Sequence, residues 1–348
     1  MRIPFAIPGD LATPTGGYAY ARRLIEAAAA AGLTLDVMAL PDGFPQRGAS
    51  RLAQAGDLLA GLSAHAPILI DGLAYGALPT TILDRVSAPV VALCHHPLAL
   101  ETGLDDATAE RLHRSEMVAL ACAKHVITTS EATAAILTAD FDVPAEKLSV
   151  AKPGTDLAIR ANGSGTAETC RFLSVGSVTP RKGHLVLIAA LAPLADMEWT
   201  LRIAGPHRDS DALRALQDAI AQTGLTERVS LLGAVDDAAL DAEYRAADAF
   251  VLASNYEGFG MAFTEAMARA LPTMGLDLGS DSAAVREATA GGACLVAPDA
   301  LSQALASWIV DPASRSVWGE RAWEVAQAFP QWADTARIVK GVLERARP

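Results

Sequence analysis

The chain has 348 residues, of which 51% are apolar and 20% charged, and its acids outnumber its bases 40 to 28 for a net charge of −12. That length suits two domains of middling size, and that composition excludes a disordered chain. The acidic balance argues against nucleic acid, or a strongly anionic membrane surface, as an overall partner.

The opening "MRIPFAIPGD" reads as a first strand and not as a signal peptide, because no long apolar run follows its positive charge. Further short apolar strands fall at "LTLDVMAL", "APILID", "APVVALC" and "HVITTS". Alanine-rich helices lie between them, such as Gly17–Gly32, which stops at a glycine as a C-terminal cap requires. Strands that are apolar on both faces belong to parallel sheets with crossover helices. The segment Pro153–Thr169, rich in Gly, Thr, Ser and Asn, breaks the rhythm and reads as an interdomain linker. The alternation restarts with strands at "CRFLSVG", "WTLRIAG", "RVSLLG", "AFVLAS", "PTMGLD" and "ACLVA". A helical tail, Ser314–Arg347, carries Trp318, Trp323 and Trp332, three of the five tryptophans. The expected fold class is α/β, with two Rossmann-like doubly wound domains, 1–155 and 156–329, facing across a cleft. Ligands of such sheets bind outside the carboxyl ends of the strands, so functional residues are sought there.

No uncharged apolar stretch reaches the ~18 residues of a membrane span, so no transmembrane helix is expected. Of the four cysteines, Cys94 and Cys122 sit in apolar surroundings and read as small core residues, and none has a partner at metal-ligand spacing. A reducing cytoplasm fits that usage.

Three loops after strands suit anions. In "PGDLATPTGGYAY", Gly16 and Gly17 precede the first helix, where bare amides can approach a phosphate, although a glycine pair is as often a plain turn. The dinucleotide fingerprint G-x-G-x-x-G is absent, which sets aside a hydride-transferring dehydrogenase. In "SVGSVTPRKGHLVLI", Arg181 and Lys182 stand at a helix start against the helix dipole, an arrangement that is unfavourable unless an anion neutralises it. A solvated basic turn is the plain alternative, and a diphosphate clamp the functional one, with a guanidinium fork and an ammonium point charge. In "NYEGFGMAFTEAMARALP", Glu257 precedes a helix beginning near Met261, and Glu265 lies in about its first turn. Gly258 and Gly260 leave amides bare beside Glu257. Carboxylates accept paired hydrogen bonds from vicinal hydroxyls, so the two acids suit two polyol units either side of a phosphate. Glu265 could merely favour the helix dipole, but its helix is apolar on nearly every face, and a lone buried carboxylate costs several kcal/mol, on the order of magnitude, unless paired.

"EGFGMAFTE" resembles the E-x7-E motif of retaining glycosyltransferases of family 4, which have the GT-B fold. "SVGSVTPRKG" resembles that family's phosphate loop, and "HHPLALETG" the stretch after a central strand of its N-terminal domain. The resemblance extends from Gly16-Gly17 to the closing helices. It implies that Glu265 holds the ribose hydroxyls, that Glu257 faces the transferred hexose, and that Gly258, Phe259 and Gly260 present amides to hexose and phosphates. It implies that Arg181 and Lys182 neutralise the diphosphate beside Gly16 and Gly17. It places His95, or its neighbour His96, near the reaction centre, with His96 and Glu101 either orienting His95 or lining the acceptor side. Without the resemblance, "CHHP" reads equally as a hydrogen-bonded core pair. A final helix, about 330–348, is implied to rejoin the N-terminal domain. One segment departs from the family's G-x-x-P-E-x-V pattern: "GSDSAAVREATAGG" offers only Val285-Arg286-Glu287, without the proline.

The expected activity is transfer of a hexose from a UDP- or GDP-sugar to an acceptor hydroxyl, on a sugar, a lipid-linked or a small-molecule acceptor. No metal and no cofactor beyond the donor is expected, since two cations can stabilise the leaving group. The "DSD" at Asp209–Asp211, a spelling used by metal-dependent transferases of another fold, reads here as a helix cap. A nucleotide-sugar epimerase of the same fold and a non-catalytic nucleotide-sugar sensor are the competing readings. Peripheral contact with the inner membrane would use "ATAERLHRSEMVALACAKH", but Glu110 and Glu116 dilute its bases, which favours a solvated face.

Overall fold

The computed structural model describes residues 1–46, 48–156, 158–165 and 169–348. The expected linker falls partly outside the described residues, at Leu157 and at 166–168. The chain divides into two compact units, Met1–Gly154 with Pro330–Pro348, and Thr155–Phe329.

In the first unit the chain alternates as β1 (Arg2–Pro8), α1 (Gly16–Ala28), β2 (Thr34–Leu40), α2 (Ala49–Ala60), β3 (Ile68–Asp71), α3 (Gly72–Tyr75), α4 (Thr80–Leu83), β4 (Val90–Cys94), α5 (Asp106–Cys122), β5 (His125–Thr128), α6 (Glu131–Asp140) and β6 (Leu148–Val150). All the pairings are parallel, in the order β2-β1-β3-β4-β5-β6. The three-residue β6 is too short to stand out in the sequence. Strands β3 and β4 are buried at every position, which is why they read as unbroken apolar runs. The glycine predicted to end the first helix does so: Gly32 is left-handed at φ 71°, after one 3-10 turn, and its N–H bonds Ala29 O.

The second unit runs β7 (Cys170–Val175), α7 (His184–Leu191), β8 (Trp199–Ala204), α8 (Ser210–Gln222), β9 (Val229–Gly233), α9 (Asp237–Ala246), β10 (Ala249–Leu252), α10 (Met261–Met267), β11 (Thr273–Leu276), α11 (Ala283–Thr289), β12 (Cys294–Val296), α12 (Leu301–Val310) and α13 (Pro312–Ala326). Its six strands are parallel in the order β12-β11-β10-β7-β8-β9. The Asp209 carboxylate caps α8, accepting from the amides of Asp211 (3.0 Å) and Ala212 (2.9 Å), as the cap reading of "DSD" requires. The last helix, α14 (Trp332–Arg345), packs within the first unit against α1, β5 and β6. Trp332 is buried there, edge-on to Tyr20 at 5.4 Å, and Thr335 donates to Lys152 O at 2.7 Å.

Each sheet is doubly wound, and the direction in which successive strands are added reverses between β1 and β3 in one and between β7 and β10 in the other. Loops leaving the carboxyl ends of strands on either side of such a reversal diverge and leave a crevice.

Candidate functional site

In the second unit, the loops after β7 and β10 flank the reversal. The first runs from Gly176 through a 3-10 turn, Pro180–Lys182, to Gly183, left-handed at φ 64°. A Cβ on Gly183 would lie 1.8 Å from Ala253 O, so only glycine lets this loop touch the end of β10. Asn255 N then donates to Arg181 O at 2.8 Å and locks the two loops together.

That contact brings three of the expected residues into one cluster. Lys182 Nζ donates to Glu257 Oε1 at 2.6 Å. Arg181 Nη1 donates to Tyr256 O at 2.9 Å and to Glu257 Oε2 at 3.3 Å. Ser254 Oγ donates to Glu257 Oε1 at 2.6 Å. Glu257 is only 6% exposed. Burial opposes its ionisation, but Lys182, Arg181 and the Ser254 hydroxyl together outweigh burial and hold the carboxyl at about 2. The anion that the adjacent cations need is therefore supplied by the protein itself, which the sequence did not disclose. His184, the first residue of α7, lies buried beneath the loop, and burial first and Lys182 second push it down to about 4. It stays neutral and adds no third cation.

Helix α10 begins at Met261 after Gly260, left-handed at φ 103°. Phe259 is buried, and a Cβ on Gly260 would lie 3.6 Å from Val285 of α11, so the departing segment "AAVRE" abuts the loop. Glu265 is the fifth residue of α10, past the first turn, where the dipole acts weakly. It is half-buried and not a lone buried charge: the Tyr244 hydroxyl of α9 donates to its Oε2 at 3.0 Å. Arg269 donates to Glu265 O at 2.9 Å and lies over the Tyr244 ring at 4.7 Å. The deeply buried acid of the motif is thus Glu257, and Glu265 is the more accessible one.

In the first unit the reversal gathers a second group. Gly16 starts α1 with open space at its Cβ position, while a Cβ on Gly17 would meet His95 Cδ2 at 3.3 Å. His95 follows β4 directly, edge-on to Tyr20 at 5.1 Å, and Thr129 Oγ1 donates to its carbonyl. Its Nε2 lies 3.6 Å from Asp71 Oδ2. Asp71 ends β3, is 5% exposed, and caps α3 through Leu73 N at 2.9 Å. Asp71 was missed from the sequence, although "LIDG" places an acid at the carboxyl end of an apolar strand. His96 turns to its own loop instead, with Nδ1 2.8 Å from Pro97 O and Nε2 3.3 Å from Glu101 Oε2. His95 is therefore the histidine grouped with Gly17.

Two expectations on the first unit are corrected. Cys122 is exposed, not core: it ends α5 on the outer face, while Cys94 is buried. Glu116 does not dilute a solvated face of α5: it is 1% exposed, turned inward at a helical position whose neighbours Leu112, Ala119 and Leu120 are also buried. Among the described residues no helix is long and apolar enough to cross a membrane.

Known proteins resemble both units. The family model of group 1 glycosyl transferases matches residues 162–325, and that of glycosyltransferase family 4 matches residues 14–159. D-inositol 3-phosphate glycosyltransferase of Corynebacterium glutamicum (strain R) is 31% identical over 59% of this chain and 53% of its own. Mannosylfructose-phosphate synthase of Agrobacterium fabrum is 38% identical over 29% of this chain and 24% of its own. The chain spans about half the length of the D-inositol 3-phosphate glycosyltransferases it matches first. Sucrose-phosphate synthase from Thermosynechococcus elongatus superposes with a TM-score of 0.80 at 22% identity, over 99% of this chain and 98% of that one. HepE of Anabaena, solved with UDP and glucose, superposes at 0.74 and 18% identity, over 99% of each chain. With both units matched by the two domain models, and the same architecture in the solved structures, the chain belongs to family 4 of the GT-B glycosyltransferases.

Proposed function

We propose that this protein is a retaining, metal-independent glycosyltransferase that moves a hexose from a UDP- or GDP-sugar to an acceptor hydroxyl. The reading is carried by the Arg181–Lys182–Glu257 cluster at the β7/β10 reversal. Cleaving the bond between the anomeric carbon and the diphosphate leaves an electron pair on a phosphate oxygen. Two cations already fixed in place stabilise that charge without reorganising, the role a divalent ion has elsewhere. In this reading Glu257 and the amides of Gly258, Phe259 and Gly260 meet the hexose, and Glu265, oriented by Tyr244, accepts the ribose hydroxyls. Gly16 and Gly17 lie beside the phosphates, and His95 serves the reacting sugar.

Relatives named for inositol 3-phosphate, mannosylfructose-phosphate and sucrose-phosphate support a phosphorylated polyol or sugar as the first acceptor class to try. The test incubates UDP-glucose or GDP-mannose with inositol 3-phosphate, fructose 6-phosphate or neither, with and without EDTA, and reads the anomeric configuration of the product by NMR. A retained α-linkage formed equally in EDTA is expected. An isomerised nucleotide sugar formed without acceptor would establish the epimerase reading, and binding without turnover across the panel the sensor reading.

A further inference from the structure

Among the described residues, one buried carboxyl group stands outside both clusters. Glu116 comes from α5 into the space beneath the loop His95–Glu101. Its Oε2 accepts the Leu98 amide at 2.7 Å, and its Oε1 lies 3.9 Å from Cys94 Sγ at the end of β4. The Leu98 amide is the first backbone donor after Pro97, which has none, so one carboxyl grips the loop just past His95 and His96. Gly76 makes the room: a Cβ there would lie 3.0 Å from Glu116 Cγ and from Leu98 Cδ1.

Among the described residues no cation pairs with it. The titratable groups on the elements around it are Cys94 on β4, Asp71 and Tyr75 at either end of α3, and His95, His96 and Glu101 in the loop, with His113 on its own helix, whose Asp106, Glu110, Arg111, Arg114 and Cys122 are exposed. His95 is turned to Asp71, His96 to Glu101, and His113 to Asp140 O. Burial, with Glu116 and Asp71 adding to it, holds the Cys94 thiol well above its usual range, and burial raises the Tyr75 phenol. Both therefore stay neutral. Burial likewise pushes Glu116 up to about 8, against the opposing hydrogen bonds from Leu98 and Cys94.

We propose that Glu116 is a positioning residue, a neutral carboxylic acid set against the Leu98 amide that fixes the His95–Glu101 loop, and that its ionisation loosens that loop because the cost of an uncompensated buried charge exceeds the gain from the stronger bond a carboxylate takes from Leu98. The inference rests on the proposed role of His95 only for its effect on turnover, and the loop itself can be followed without any substrate.

The experiment has two arms. In the first, the Leu98 amide resonance and the His95 ring resonances are followed with rising pH, beside the carboxylic-acid carbonyl band in the infrared. In the wild type all three should move together near pH 8, and in Glu116→Gln none should. An amide or carbonyl band that stays flat through pH 8 in the wild type overturns the proposal, whether or not the variant folds, as does an unchanged inflection in Glu116→Gln. In the second arm, UDP-glucose turnover by the wild type should fall about tenfold per pH unit above pH 8, the slope of a single ionisation to an inactive form. Glu116→Gln should keep its neutral-pH turnover and lose that limb, while Glu116→Ala, which leaves the amide unpartnered, should be impaired at every pH. Resonances that titrate without any turnover would uphold the clamp and count against the proposed enzyme. Turnover with a limb that Glu116→Gln leaves in place would do the reverse.

Discussion

Replacing Glu257 with Gln tests the central cluster through its protonation. The carboxyl is held at about 2 in the fold, against the usual 4.5 of a glutamate. A folded value below the unfolded one means that the ionised group stabilises the fold. The contribution is fully present above the unfolded value and is lost as pH falls through the folded one. The shift corresponds to about 3 kcal/mol at ~1.4 kcal/mol per unit, an order-of-magnitude figure for a group this buried. At pH 3 only about 1 kcal/mol of it remains by the same linkage. Gln keeps the size and can still accept from Ser254 and Lys182, but it leaves Lys182 and Arg181 facing each other without an anion. At neutral pH the variant should lose about 3 kcal/mol, a Tm drop of roughly 6–12 °C for a domain of this size. At pH 3 the difference should shrink to about a third. The assay is paired thermal unfolding of wild type and Glu257→Gln across pH 3 to 7, followed by circular dichroism. A difference that stays constant over that window would show that the charge of Glu257 does not support the fold, and the cluster would lose its electrostatic basis.

Lys182→Met should cut UDP-glucose turnover by about a hundredfold or more, measured by UDP release, the scale of losing one preorganised charge-stabilising donor. It also strands part of a buried carboxylate, so its stability should fall by about 3 kcal/mol in the same unfolding assay. His95→Ala should abolish transfer while leaving the dissociation constant for UDP within about twofold by calorimetry; a parallel loss of UDP affinity would move His95 from chemistry to structure. Tyr244→Phe removes the donor to Glu265 and should raise KM for the donor several-fold with kcat little changed, in steady-state kinetics. Glu116→Gln should gain stability over the wild type as pH rises from about 5 to 8. A carboxyl raised in the fold contributes fully below its unfolded value and loses that contribution as pH climbs to the folded one, here on the order of 5 kcal/mol; denaturant midpoints at the two pH values check the sign.

The alternation of apolar strands and alanine-rich helices was legible because parallel strands buried on both faces leave unbroken runs such as "APVVALC", and because Gly32 and Asp209 sit where caps are needed. β6 was not, since three half-buried residues carry no period. At the site, residue types at strand ends were readable, but their partners were not. Nothing in "SVGSVTPRKG" says that its cations close on Glu257, because that contact depends on Gly183 lying against Ala253 O, a long-range approach. Nor does "ERLHRSEMVALACAK" say that Glu116 faces inward while Glu110 faces out. The two acids are six residues apart, more than one and a half helical turns, and only the packing of α5 on the loop decides which is buried.

The pairing of Glu257 with both cations bears directly on what the site can do. Arg181 and Lys182 unopposed would be a dication buried beside a neutral histidine, and the desolvation of two like charges would work against folding before any ligand arrived. With Glu257 between them the cluster carries one net positive charge, and its hydrogen bonds hold both side chains in a single arrangement. In the proposed reaction a bound diphosphate meets cations that need no ordering, so less of its binding energy goes into immobilising a lysine and an arginine. Glu257 also competes with the phosphate for Lys182 Nζ, which it holds at 2.6 Å. In the proposed reaction, ground-state affinity for the donor is thereby lowered, while charge growing on the leaving oxygen draws the cations from Glu257 more strongly as the bond breaks. Interactions that strengthen as the bond breaks raise turnover; those already complete in the bound donor do not. In that proposed reaction the acid that supports the fold also biases its cations toward the transition state. Glu257→Gln should for that reason bind UDP-glucose at least as tightly as the wild type by calorimetry while turning it over more slowly, and weaker donor binding in that variant would refute the competition.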